Sequence, residues 1–89
     1  MSSRYLEITY RRGKPFAAYL YLPRKSEDHT AKVQPTPDGL LIDYTADGRA
    51  IGIEIPSPSQ LSLGAINRAL ATTGQPAATA DELSPFALS

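Results

Sequence analysis

Apolar and polar residues alternate along several short stretches of the chain, and this period of two predicts β-strands. The first two such stretches are Arg4–Tyr10 (RYLEITY) and Phe16–Leu22 (FAAYLYL). The pattern breaks between them, because Gly13 permits a positive φ and Pro15 cannot donate a backbone hydrogen bond. These two strands therefore form a first hairpin. A short third strand is predicted over Ala31–Gln34.

A second hairpin is predicted over the sequence GLLIDYTADGRAIGIEI, residues 39–55. A four-residue loop, 45–48, would place the large aliphatic side chains of both strands on one face. It pairs Tyr44 with Arg49, Ile42 with Ile51, and Leu40 with Ile53. A three-residue loop would instead set Asp43 opposite Ile51. Because a one-residue slip turns every side chain over, the hydrophobic pattern favours the four-residue loop.

The residues after this hairpin predict one helix. Leu63, Ile66 and Leu70 recur at helical spacing, Ser59 or Ser62 can cap the start, and Thr73-Gly74-Gln75-Pro76 is a typical end. The predicted fold is a small α+β domain: an antiparallel β-meander sheet of about five strands with one C-terminal helix. The domain spans 1–74, and 75–89 form a C-terminal tail that is either disordered or packed on a neighbouring subunit.

Both faces of the predicted sheet are partly apolar, and one helix cannot cover both. A chain of 89 residues also buries only roughly 60–65% of its unfolded surface, so covering the second face would add stability. A second copy of the chain is the simplest cover. The sequence therefore predicts a homo-oligomer, with Tyr19, Tyr21 and Leu41 on the self-association face.

Charge is distributed unevenly along a chain whose formal net charge is zero. Residues 1–25 hold six basic side chains and one acid, whereas the remainder holds three basic side chains and eight acids. Such halves are expected to pair within the sheet or between subunits. The alternative is nucleic-acid binding through Arg11, Arg12 and Lys14 in the first turn, with bases stacked on tyrosines. A sequence pI near 6.5 argues against general nucleic-acid binding.

Composition sets further limits. The chain has no cysteine, so disulfides and thiolate metal sites are excluded. No stretch reaches the ~20 apolar residues of a membrane span, and the start has no apolar run of signal-peptide length. We therefore expect a cytoplasmic protein without membrane contact.

The candidate chemical groups do not form a known catalytic motif. In the favoured register Asp43 and Glu54 lie roughly 13–14 Å apart, whereas glycosidase pairs need about 5–9.5 Å. His29 is the only histidine and lies in a polar loop, where Glu27 and Asp28 add donors without the spacing of a metal motif. The sequence therefore assigns no catalytic residue, no metal ligand and no cofactor.

The order ITY, AYLYL and GLLIDYTADGRAIGIEI, followed by a serine, resembles the short bacterial proteins of the domain of unknown function 2283 family. The similarity covers Leu6 to Ser59 and is most specific from Asp43 to Ile55. It implies a small antiparallel sheet followed by a helix, without an established activity; some members resemble the small partner encoded beside a toxin-like protein. Where the family has acids in the first turn, this chain has Arg11, Arg12 and Lys14.

The leading functional hypothesis is a non-enzymatic protein-interaction module that self-associates; acting as the small partner or neutraliser of another protein is one form of it. Nucleic-acid binding through the basic turn is the alternative. A hydrolase that uses acids or His29 across a subunit interface is the second alternative.

Overall fold

A computed structural model of the chain describes residues 4–58 and 62–83. These residues form five strands and one helix, which confirms the predicted small α+β fold with an antiparallel sheet. The elements are β1 (Tyr5–Arg11), β2 (Lys14–Tyr21), β3 (Lys32–Pro35), β4 (Leu41–Tyr44), β5 (Ala50–Ile55) and α1 (Leu63–Thr72).

The strands lie in the order β1-β2-β5-β4-β3, and every neighbouring pair is antiparallel. The order departs from a sequential meander at one step, because the chain after β2 crosses to the far edge before β3 begins. As a result β5, whose sequence AIGIEI is the most apolar of the strands, occupies the centre of the sheet. A central strand has neighbours on both sides, which suits its buried residues.

The first hairpin is tighter than the sequence predicts. β1 continues to Arg11 and β2 begins at Lys14, so Arg12 and Gly13 alone form the turn. Both have positive φ, at 54° and 78°, which is the type I′ geometry that matches the twist of paired strands. The three basic residues of the predicted turn consequently lie at the two-residue turn or directly beside it.

The predicted register of the second hairpin is wrong. Thr45 and Arg49 are joined by a backbone hydrogen bond of 2.9 Å, so the turn has three residues, with Gly48 at φ 89°. Tyr44 then pairs with Ala50, but the register shifts by one residue before the next pair. Ile51 is the extra residue of this β-bulge. Ile42 therefore lies opposite Ile53, and both still face the same side of the sheet.

Helix α1 covers that side. Ser62 caps it, since its hydroxyl accepts a hydrogen bond of 3.0 Å from the Ala65 amide. At the other end Gln75 N–H donates to the Leu70 carbonyl at 2.9 Å, and the helix ends before Gly74 as the sequence predicts. The core is one cluster of aliphatic side chains from the sheet and the helix, which includes Leu20, Leu22, Ile42, Ile53, Ile55, Ile66 and Leu70.

The segment that follows the helix packs on the same side of the domain. Ala78 and Leu83 are buried in the core cluster, and the Asn67 side chain bonds both backbone groups of Ala78. Arg4 at the start of β1 forms two hydrogen bonds with the Glu82 carboxylate, at 2.8 and 2.9 Å. In the described part of the chain no helix is long and apolar enough to cross a membrane.

Candidate functional site

The side of the sheet opposite α1, here called the open face, carries the polar and aromatic residues of the central strands. Tyr19 and Tyr21 of β2 and Leu41 of β4 all lie on it, because they alternate with the core residues. Glu54 of β5 pairs with Tyr19 on one side and with Leu41 on the other. The three residues predicted for self-association therefore share one surface, and Glu54 lies between two of them.

The ring of Tyr19 lies across Gly52. A Cβ atom placed on Gly52 would come within 1.8 Å of the Tyr19 hydroxyl oxygen, so the glycine is the only residue type that permits this position. The hydroxyl reaches past Gly52 to Asp43 and donates a hydrogen bond of 2.8 Å to its Oδ2 atom. Gly52 is thus part of the site although it contributes no side chain.

Asp43 is 6% exposed, which is unusual for a carboxylate on a sheet face without a second layer. Its Oδ2 atom accepts from Tyr19 and, at 3.3 Å, from the Thr30 hydroxyl. Its Oδ1 atom is buried and has no N–H or hydroxyl donor among the described residues. The neighbouring side chain that can act as a hydrogen-bond donor to Asp43 is the carboxyl group of Glu54.

Asp43 and Glu54 form a carboxyl pair. The hydrogen bond to Asp43, followed by burial and by the negative charge of Asp43, raises the pKa of Glu54 above its usual range. Two carboxyl groups can be hydrogen-bonded to each other only when one of them carries a proton, so the hydrogen bond between Asp43 and Glu54 requires one shared proton. The separation of roughly 13–14 Å that the sequence predicts is wrong, because the three-residue turn and the bulge together move Asp43 from opposite Ala50 to opposite Gly52.

Arg24, which follows β2, contacts the same group of side chains, Tyr19, Asp43 and Glu54, through Tyr19. Its Nη2 atom donates to the Tyr19 hydroxyl at 3.1 Å and to the Ile51 carbonyl. Its guanidinium carbon lies 5.0 Å from the centre of the Tyr21 ring, a cation–π distance. Burial and the hydrogen bond to Asp43 raise the pKa of Tyr19 to about 12, so its hydroxyl remains a donor at neutral pH.

A shallow groove of about 500 Å³ runs along the open face beside Glu54. Its walls are mainly small and aromatic side chains, and its two charged lining residues are both acids, Glu7 and Glu54. The rest of the lining includes Thr9, Phe16, Ala17, Tyr19 and Leu41. A directly hydrogen-bonded carboxyl pair leaves no room for a glycosidic bond between its members. The arrangement is suited to holding a proton or to accepting a cationic group.

The basic turn lies at the end of the hairpin formed by β1 and β2. Its three basic side chains, Arg11, Arg12 and Lys14, are exposed. The Arg11 guanidinium carbon lies 4.6 Å from the centre of the exposed Phe16 ring. The structure does not bring these three residues into the carboxyl network, since Lys14 is five residues before Tyr19 along β2.

The polar loop between β2 and β3 has a structural role. Asp28 is bonded to Arg49 at 2.7 and 2.9 Å, and that contact lowers the pKa of Asp28 to about 2. His29 is exposed, and its Nδ1 atom lies 3.4 Å from the Glu27 carbonyl oxygen. Within residues 4–58 and 62–83 no three acidic or histidine side chains are arranged to hold a metal ion.

Sequence reasoning missed Arg24, Thr30 and Gly52 as parts of the site. Gly52 alone has a signal, because a glycine inside a strand often marks close approach by another group. Arg24 and Thr30 belong to the polar loop, where composition gives no hint of which side chains turn back onto the sheet.

Comparison of the chain with protein-family models, curated proteins and solved structures finds no match. The resemblance to the domain of unknown function 2283 family thus rests on the quoted strand motifs, and membership stays a prediction.

Proposed function

We propose that the chain is a non-enzymatic interaction module that self-associates through the open face of its sheet. The observation that carries the proposal is the contrast between the two faces. One face is sealed by α1 and by residues 75–83, whereas the other holds aromatic and aliphatic side chains without a second layer among the described residues.

The composition of the open face supports protein contact. Tyr5 is 56% exposed and stacks on Tyr21 at a centroid distance of 4.4 Å, and Val33 is 44% exposed at the other end of the sheet. Tyrosines offer large apolar rings with a polar tip, which suits a surface that is wet in the monomer and covered in the complex. Tyr21 and Leu41 lie between these ends and are partly exposed.

Light scattering over a range of protein concentrations tests the proposal. We expect wild-type chain to exceed the monomer mass of 9.6 kDa, and the double variant Tyr21→Ser/Leu41→Ser to shift toward it. Ala71→Ser, on the exposed side of α1, is the control and should leave the mass unchanged. A wild-type chain that stays monomeric at all concentrations would refute the proposal.

The same preparation tests nucleic-acid binding. Nucleic acid that co-purifies with the wild-type chain and leaves at higher salt would favour the basic turn as the functional surface, because phosphate contacts weaken steeply with salt. Protein that exceeds the monomer mass and is free of nucleic acid favours the interaction module.

A further inference from the structure

Two sets of charged side chains at the open face form no ion pair among the described residues, and the two sets have opposite signs. Three arginines form ion pairs with acids at 2.7–2.8 Å: Arg4 with Glu82, Arg49 with Asp28, and Arg68 with Asp38. Among the described residues none of the basic-turn side chains has such a pair, and neither do the groove acids Glu7 and Glu54. Both sets belong to the open face or to its end.

We propose that the groove beside Glu54 binds the basic turn of a second copy of this chain, with Arg11 or Lys14 of that copy lying against Glu54 and Glu7. The proposal rests on the self-association proposed above and names its contacts. Each copy has one groove and one turn, so two such contacts form at once around a two-fold axis.

The spacing of groove and turn along the sheet fits this arrangement. Glu7 and Glu54 both pair with Tyr19, so the acids of the groove share one level of the sheet. Lys14 is five residues away along β2, but Phe16 is the extra residue of a bulge, so the distance matches the four residues from Glu7 to Arg11 on β1, or roughly 13 Å at ~3.3 Å per residue. An axis midway, near Ala17, brings each turn over the other copy's groove while the two sheets lie face to face.

The carboxyl pair favours a cation in the groove. Asp43 Oδ1 is buried and has no N–H or hydroxyl donor among the described residues, and the Asp43 side chain interacts with Glu54, which lines the groove. A guanidinium or ammonium group beside Glu54 supplies N–H donors to Glu54 and positive charge to both carboxyl groups, so both can be ionised without a shared proton. The aromatic wall formed by Tyr19 and Phe16 is a further favourable surface for a guanidinium group.

A charge exchange tests the proposed contact. The turn variant is Arg11→Glu/Lys14→Glu and the groove variant is Glu7→Lys/Glu54→Lys. In a dimer of either variant alone, both groove–turn contacts bring like charges together. We therefore expect the dissociation constant of self-association, measured by light scattering, to rise at least about tenfold. An equimolar mixture restores opposite charges in both contacts, and we expect association to return to within about threefold of wild type.

Two controls separate the specific contact from a general charge effect. Lys25→Glu/Lys32→Glu changes the net charge as much as the turn variant does but leaves the turn intact, and it should self-associate like wild type. Mixed with the groove variant, it should not restore the association of that variant. One of the two contacts would then set the basic turn of the control against the lysines of the groove variant. Circular dichroism melting checks that each variant is folded.

The outcomes distinguish this inference from the proposed function. If wild type associates and either reversed variant associates equally well, or if the mixture of two folded variants stays monomeric, the groove–turn contact is wrong while self-association stands. If wild type is monomeric throughout, both are wrong.

Discussion

Replacing Gly52 by alanine should displace Tyr19 from the open face. The added Cβ would lie 1.8 Å from the hydroxyl oxygen and 2.1 Å from the ring carbon that bears it, so the ring must leave rather than adjust. When Tyr19 leaves, Asp43 loses its 2.8 Å hydrogen bond and the Arg24 guanidinium loses one of its acceptors. The fold around α1 is untouched, because Gly52 faces away from it.

The loss in free energy of unfolding caused by Gly52→Ala follows from these contacts. A hydrogen bond to a charged, buried group contributes about 1.5–3 kcal/mol. The edge contact between the Tyr19 and Tyr21 rings, with centroids 4.6 Å apart, contributes about 0.5–1.5 kcal/mol. Alanine in place of glycine offsets about 0.4–1 kcal/mol by restricting the unfolded chain. The free energy of unfolding should therefore fall by about 1–4 kcal/mol.

Urea denaturation at matched protein concentration measures this loss, and a double-mutant cycle assigns it. In a Tyr19→Ala background the ring is absent, so Gly52→Ala should be neutral or slightly stabilising. The reasoning is refuted if Gly52→Ala leaves the free energy of unfolding unchanged in wild type, or if it costs the same in both backgrounds.

Three further predictions concern stability. Because the folded state raises the pKa of Glu54 above its ordinary value of 4.5, the folded chain binds a proton more tightly than the unfolded chain. The free energy of unfolding should fall as the pH rises from the ordinary pKa of Glu54 through its raised pKa in the folded chain. Glu54→Gln should remove that fall, and at pH values above the raised pKa it should be more stable than wild type. Leu83→Ala should cost about 2 kcal/mol in urea denaturation, since this fully buried side chain holds the last described segment on the core. Gly64→Ala, on the exposed side of α1, should raise the melting temperature by adding up to about 1 kcal/mol, because its nearest contact is the flexible end of Arg68 at 3.3 Å.

Each of these has a clear contrary result. An unchanged pH profile in Glu54→Gln would show that the carboxyl pair does not share a proton. Wild-type stability in Leu83→Ala would mean that the segment after α1 does not pack as described. A lower melting temperature in Gly64→Ala would mean that Arg68 cannot move aside. For the pH prediction, Glu7→Gln is the control for Glu54→Gln, because it also neutralises one groove acid.

The sequence predicted most of the elements because each depends on local chemistry. Alternation identified the strands to within two residues at their ends, and the Ser62 cap and the Gly74 stop bounded the helix. Strand order was not predictable in the same way, because alternation shows which face a residue takes and not which strand lies beside it. The central place of β5 follows from pairing with β2, a contact between distant parts of the chain.

The register of the second hairpin escaped prediction for a specific physical reason. A three-residue turn shifts the pairing by one residue, and the bulge at Ile51 shifts it by one more in the same direction. Beyond the bulge the sum is a shift of two residues from the predicted register, and a shift of two returns every side chain there to its original face. The hydrophobic pattern is therefore identical in both registers and could not distinguish them. Only the pairing of polar residues across the strands differs.

That difference creates the site. Moving Asp43 from opposite Ala50 to opposite Gly52 brings it within two residues of Glu54 on the neighbouring strand, so the two carboxyl groups meet diagonally. The residue that becomes opposite is a glycine, which leaves space for Tyr19 to cover Asp43 from β2. The carboxylate of Asp43 is thus buried by its own chain, and Glu54 is the member of the pair that lines the groove. A cation that pairs with Glu54 approaches it through the groove that Glu7 and Leu41 also line, and this is where the proposed contact with a second copy can be tested.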